Sequence, residues 1–242
     1  MKKKTILVAA IAVMLVAALV VGGTLAYFTD TDTKTNTFTT GKVDITLNET
    51  FDADNAKLLP GSQSTNAVQK EVSIKLNEGS EDAYVWYEWL IPAALDSTNG
   101  STGTDNIVHV NSAGRTWDNY RENPKFWADG QTEALPLEKT WDHTLDGTIQ
   151  GFVGTEVVDG ITYNKYVALY HGKLSAGDKT SVGMTQVYMD SKVDTNAQGQ
   201  YTINGNVIDY DFSNGVNIIV RAYGMQADGF ADVYAAYAAY NK

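Results

Sequence analysis

Apolar residues recur at every second position over several stretches, as in Val43-Asp44-Ile45-Thr46-Leu47 and Val72-Ser73-Ile74-Lys75-Leu76. A period of two puts alternate side chains on opposite faces of a pleated backbone, so each stretch reads as a half-buried strand. The same reading covers Ala83 to Ile91, Phe152 to Val158, Ile161 to Tyr170, Ser181 to Met189 and Val216 to Met225. Asp159-Gly160 separates two of these runs. A type I′ turn needs positive φ at both central residues, so this pair predicts a hairpin. Strands divided by Gly, Asn and Asp turns, without recurring helical segments, predict a mostly β fold. The expected form is an antiparallel β-sandwich of jelly-roll type rather than a parallel α/β sheet.

Two stretches depart from the alternation. Ala93 to Gln150 is polar and turn-rich, contains Trp117, Trp127 and Trp141, and reads as a long irregular insertion between core strands. Ala231 to Tyr240 is rich in Ala and Tyr and has the local propensity for a short C-terminal helix. No solenoid-type repeat and no Pro-rich linker interrupts the chain, so 42–242 is expected to be one domain carrying the 93–150 insertion.

The N-terminus follows another pattern. Lys2, Lys3 and Lys4 precede an unbroken apolar run from Ile6 to Val21, then Gly22-Gly23-Thr24-Leu25-Ala26. A basic start, an apolar middle and small residues before a cut are the marks of a secretory signal peptide over 1–26, with cleavage between Ala26 and Tyr27. A retained membrane anchor is the competing reading, but no cluster of positive charge follows the run, and Asp30 and Asp32 come soon after it. The expected location is therefore outside the cell, in an extracellular matrix or on the cell surface.

Charge and cysteine content narrow the partners. Without the leader, 15 basic side chains face 29 acidic ones, and the formal charge moves from −11 to −14. A polyanion is held by displacing its counterions with Lys and Arg, so nucleic acid is not an expected partner. The chain has no cysteine. That excludes thiolate metal sites and fits export that is not coupled to oxidative folding, as at the surface of a Gram-positive bacterium.

Directly after the expected cut, Thr occupies every odd position from Thr29 through Thr31, Thr33, Thr35 and Thr37 to Thr39, while Phe28, Asp30, Asp32, Lys34, Asn36 and Phe38 hold the even ones. On an extended backbone one face is then a β-branched ladder. A segment that favours extension but has few large apolar groups pairs best by joining an existing sheet edge, either of its own domain or of a neighbour. The plainer alternative is an ordinary first strand or a frayed terminus.

These residues resemble a known family. Gly22-Gly23-Thr24-Leu25-Ala26, then Tyr27-Phe28-Thr29-Asp30, then Asn36-Thr37-Phe38-Thr39-Thr40-Gly41-Lys42-Val43-Asp44-Ile45, is similar to the start of TasA/camelysin proteins, which leave the cell through a SipW-type signal peptidase. Leu59-Pro60-Gly61-Ser62 and Gly172 to Thr180 are similar to the family's two Pro-Gly turns, and Ala222 to Phe230 to its closing strand. Ser62 stands where an acid is frequent, and Ala176 where Pro is frequent. The resemblance implies a structural subunit of a biofilm-matrix fibre that polymerises by strand exchange. Residues 27–41 would be the donor segment, built on Tyr27, Phe28, Thr29, Thr31, Thr33, Thr35, Thr37 and Phe38. The implied partners are further copies of the chain; an accessory anchoring subunit and a matrix polysaccharide are additional candidate partners.

Other chemistry has weaker support in the residues. Some camelysins are described as metallopeptidases, but His109, His143 and His171 are widely spaced and no His-Glu-x-x-His occurs. Asp194-Thr195-Asn196-Ala197-Gln198-Gly199 copies half of a calcium loop, yet Gly205 stands where a bidentate Glu is needed, so a turn is the simpler reading. Trp117, Trp127 and Trp141 with Tyr120 are candidates for a sugar-stacking platform, against an alternative role in packing. No phosphate loop, nucleophile elbow or cysteine nucleophile is present, so the sequence names no catalytic site, metal or cofactor.

Overall fold

Strand β4 (Ala83–Pro92) is buried at every position, and this sets the order of the layers. Its alternating side chains enter two different apolar clusters. Val85, Tyr87, Trp89 and Ile91 point into the main core, whereas Tyr84 and Trp86 pack in a second cluster with Val233 and Ala236 of helix α1 (Val233–Tyr240). A strand covered on both faces needs a layer on each side, here a second sheet and a helix. The computed structural model describes residues 41–52, 56–62, 65–97, 106–112, 115–116, 136–143 and 151–242.

The sheet that contains β4 has β14 (Ile219–Gln226) on one side and β9 (Ile161–Tyr170) on the other. The far edge of β9 takes β8 (Phe152–Val158) and then β7 (Trp141–Asp142) along its length. The opposing sheet runs β1 (Ile45–Thr50), β3 (Val68–Leu76), β10 (Met184–Asp190), β5 (Val108–Ser112) and β6 (Arg115–Thr116). A short segment, β2 (Pro60–Gly61), lies parallel to the end of β10, and the other described pairings are antiparallel. A small third sheet joins β11 (Val193–Thr195), β12 (Tyr201–Ile203) and β13 (Asn206–Val207). Val72, Ile74, Met184 and Met189 of the opposing sheet share the main core with the β4 residues.

The period-two stretches all form strands. β1 begins at Ile45 rather than Val43 because the preceding backbone is taken by the β3–β4 connection: Lys42 O accepts from Glu81 N at 2.9 Å, and Asp44 O from Asn77 N at 2.8 Å. The predicted hairpin is present, with φ of 50° at Asp159 and 82° at Gly160. The expected terminal helix is also present. Asp232 caps it by accepting from Ala235 N at 2.8 Å, and Trp86 meets the Tyr237 ring edge-on at 5.5 Å. Eight residues are too few for an isolated helix to persist in water, so packing on β4 and β9 holds it.

The 93–150 stretch differs from its sequence reading in one respect. It supplies β5, β6 and β7, and Val108, Val110 and Trp141 are core residues. The polar pattern hid β5 because Asn106, His109 and Asn111 are themselves buried and hydrogen-bond to Ser97, Asp190 and Gln186 rather than to solvent.

Burial also leaves a titration signature. It is the first cause of the raised pKa of Tyr87, Tyr170 and Tyr237, and it pushes Tyr223 up to about 12, with the Glu88 carboxylate adding to the shift. Below the ordinary value of 10.0 both folded and unfolded chains keep these phenols protonated, and the stabilisation is complete. Above it the unfolded chain releases protons first, so stability falls as pH rises from about 10 through about 12. Tyrosinate absorbance is expected to rise together with the loss of near-ultraviolet circular dichroism. Full ionisation with a retained native spectrum would contradict this.

Candidate functional site

The expected cleavage pair Ala26 and Tyr27, and the donor residues Phe28, Thr29, Thr31, Thr33, Thr35, Thr37 and Phe38, lie outside the described residues. The described chain begins at Gly41, where an added Cβ would come within 2.9 Å of Glu81 Cγ and 3.1 Å of Gln226 Oε1. Gly41 therefore sits at the β3–β4 connection and the C-terminal end of β14. Asp44 fastens the following residues: its N–H donates to Ser80 Oγ at 3.1 Å, and its carboxylate accepts from Lys42 Nζ at 2.7 Å and Asn77 Nδ2 at 3.1 Å. Those contacts hold its carboxyl below the usual range.

Three of the family-like blocks meet in this region. Val43 and Ile45 approach Gly224 so closely that a Cβ there would lie 3.1 Å from a methyl of each. The Gly172 to Thr180 block joins the ends of β3 and β4, with Gly177 N donating to Leu76 O and Leu174 exchanging both backbone bonds with Ala83, each at 2.9 Å. A groove of about 510 Å³ opens beside them, lined by Glu81, Asp82, Lys173, Gln226, Asp228 and Phe230. Lys173 Nζ lies 2.6 Å from Asp82 Oδ2, and the pair depresses the carboxyl pKa while raising that of the amine.

A sheet edge is what a donated strand would need, and the described edges differ. β1 carries Asn48, Glu49 and Thr50, and Glu49 is tied to Lys70 at 3.0 Å. β8 has a register shift between Phe152 and Gly154 and carries Glu156, which accepts from Arg221 at 2.8 Å. β6 and β7 are two residues long. β14 pairs with β4 over eight residues without a break in register, and among the described residues it ends its sheet.

A catalytic zinc would need several convergent ligands, and the described donor set does not fit one. His109 Nε2 is 3.0 Å from Asp190 Oδ2, and its ring stacks on Tyr188 at 4.7 Å. His143 Nε2 lies 3.0 Å from Tyr87 Oη and 3.2 Å from Gly183 O. His171 Nδ1 is 3.1 Å from Thr140 O, and its Nε2 is 3.3 Å from Tyr234 Oη, which donates to Asp142 Oδ2 at 2.6 Å. Each histidine thus belongs to a separate hydrogen-bonding group, the last one fastening α1 to β7. Among the described residues, no three His, Cys, Asp or Glu are grouped to hold a metal ion.

The remaining sequence candidates resolve as far as they are described. Trp141 is a core residue, 4.8 Å from the Tyr87 ring, and its Nε1 donates to Ser181 O at 3.0 Å, so it is not part of an exposed sugar platform. Trp117, Tyr120 and Trp127 lie outside the described residues. Asp194 to Gly199 forms the β11–β12 hairpin: Asn196 Oδ1 accepts from Gln198 N at 3.0 Å and Gln200 N at 2.9 Å, an Asx turn in place of a cation loop.

Two polar clusters were not foreseen. Glu88, only 6% exposed, accepts from Tyr223 Oη at 3.0 Å, while Lys165 lies 3.9 Å from Glu88 and 3.8 Å from Glu156. Buried Asp96 accepts from Asn164 Nδ2 at 2.8 Å and from Tyr166 Oη, and burial followed by that carboxylate pushes the Tyr166 phenol far up. Single acids such as Glu88 within a strand and Asp96 just beyond one give little sequence warning of such networks, because their partners come from strands remote in the chain.

Residues 1–86 match the family model described as camelysin metallo-endopeptidase. The match covers the apolar N-terminal run, the Thr-rich segment, β1 to β3 and the start of β4, so the TasA/camelysin resemblance read from the motifs holds over these residues. No curated protein and no solved structure matches the chain.

Proposed function

We propose that this TasA/camelysin-type chain is a secreted structural subunit of an extracellular biofilm-matrix fibre, and that it polymerises by donating Tyr27 to Thr40 to the next subunit. The observation that carries this reading is the alternating Thr ladder directly behind the leader, within the part of the chain that matches the family model. Such a segment gains most from backbone pairing with a sheet edge. The family's description names an endopeptidase, but the three histidines lie in separate groups, and this favours the structural reading over a metal-dependent one. A monomeric polysaccharide-binding module has less support, because Trp141 lies in the core.

The test compares two purified forms by negative-stain electron microscopy and size-exclusion chromatography, one beginning at Tyr27 and one with extra residues before it. Fibres are expected from the first form alone, since added residues would block entry of the strand into its acceptor. Identical monomers from both forms would reject polymerisation by a freed N-terminus.

A further inference from the structure

We infer that the acceptor for the donated strand is the outer edge of β14 on a second copy of this chain. This rests on the strand-donation reading and adds to it the surface and the partner residues. Natural sheets blunt their exposed edges with bulges, charges or very short strands. β1 ends in Asn48-Glu49-Thr50, β8 is irregular near Gly154 and carries Glu156, and β6 and β7 are minimal. Among the described residues, β14 carries the fewest of these protections. Its sequence Ile219-Val220-Arg221-Ala222-Tyr223-Gly224-Met225-Gln226 holds one charge, and that guanidinium is drawn across the sheet to Glu156 at 2.8 and 3.0 Å. A long, regular, mostly apolar edge is the kind that recruits another strand.

A second observation points to the same place. Val43, Ile45 and Leu47 approach from one sheet and Val220 and Ala222 from the other, all packed on the main core yet only half-buried. They form a seam where the two sheets come together beside Gly224, at which an added Cβ would press on methyls of Val43 and Ile45 at 3.1 Å. A strand added to β14 would cover this seam. Phe28 and Phe38 fall on the same face of an extended segment and are roughly 33 Å apart, so they bracket an edge that is roughly 26 Å long. Because the donor segment of one copy meets β14 of another, two different parts of the chain pair and the contact is heterologous. A heterologous contact that does not close on itself propagates as a filament.

The absence of cysteine makes the test clean, because introduced thiols find only each other. Mature chains with Thr31→Cys, Thr33→Cys or Thr35→Cys are mixed with chains carrying Ala222→Cys, or Val220→Cys as a second position on the same edge. Parallel mixtures carry Leu47→Cys on β1 or Thr155→Cys on β8. After assembly and mild oxidation, crosslinked peptides are identified by mass spectrometry, and circular dichroism confirms that each variant is folded. The expected result is a dominant crosslink between the Thr ladder and the β14 positions. Fibres whose crosslinks favour Leu47→Cys or Thr155→Cys, or that show no preference, would overturn the edge assignment and leave strand donation standing. A chain carrying both Thr33→Cys and Ala222→Cys that closes only on itself would show that the segment caps its own domain, which also overturns it. If the unsubstituted mature chain forms no fibres, the underlying strand-donation reading fails instead.

Discussion

Removing Tyr27 to Phe38 is expected to give a folded monomer that forms no fibres at any concentration at which the full mature chain does. The energetics of an added strand explain why the effect should be complete. Pairing along the eight residues of β14 provides backbone hydrogen bonds worth about 1 kcal/mol each. Association costs about 4–15 kcal/mol in lost translational and rotational freedom and further terms for ordering the segment. The backbone therefore does little more than offset the cost of docking. Net affinity falls to the side chains, and each buried Phe contributes about 1.5–3 kcal/mol. Phe28→Ala together with Phe38→Ala should thus suppress assembly nearly as well as the deletion, while Lys34→Ala should leave it largely intact. Sedimentation of assembled material, with circular dichroism to confirm folding, reads both outcomes. Fibres of normal length from the truncated chain would defeat strand donation.

Trp89→Ala is expected to remove about 3–5 kcal/mol of stability, a large part of the roughly 5–15 kcal/mol typical of a folded domain. Trp89 is 1% exposed, stacks on Tyr166 at 5.6 Å and lies 5.4 Å from Tyr87, at the centre of the strand shared by both apolar clusters. Its loss leaves a void bounded by the rings of Tyr87 in the same strand and Tyr166 in β9, both held by the sheet and unable to collapse to fill it. For a chain of this size the melting temperature should fall by roughly 6–20 °C. Thermal unfolding monitored at two wavelengths measures it, and a fall of only a degree or two would show that β4 does not organise the core. Replacing an exposed apolar residue such as Val157, 67% accessible at the β8–β9 hairpin, should change stability by less than about 0.5 kcal/mol.

Several features of this protein were set by local chemistry and could be read without a fold. Alternation at Val72 to Leu76 and Ile161 to Tyr170 gave strands, Asp159-Gly160 gave a hairpin because few other residues accept its φ angles, and the Ala- and Tyr-rich run up to Tyr240 gave a short helix. The Thr ladder after Tyr27 is also a local pattern, but it lies outside the described residues. Other features depend on which distant strands become neighbours. Nothing local tells that β5 lies within the polar 93–150 stretch, that Glu88 meets Lys165 and Tyr223, or that the three histidines end in three separate hydrogen-bonding groups. Nor does it tell that, among the described residues, β14 ends its sheet as an eight-residue edge in unbroken register, longer than the six-residue β1 edge of the opposing sheet. The physical reason is that strand propensity and turn geometry act over a few residues, whereas edge, partner and burial are set by the competition among all strands for one core. That competition is decided only when the sheets close on each other.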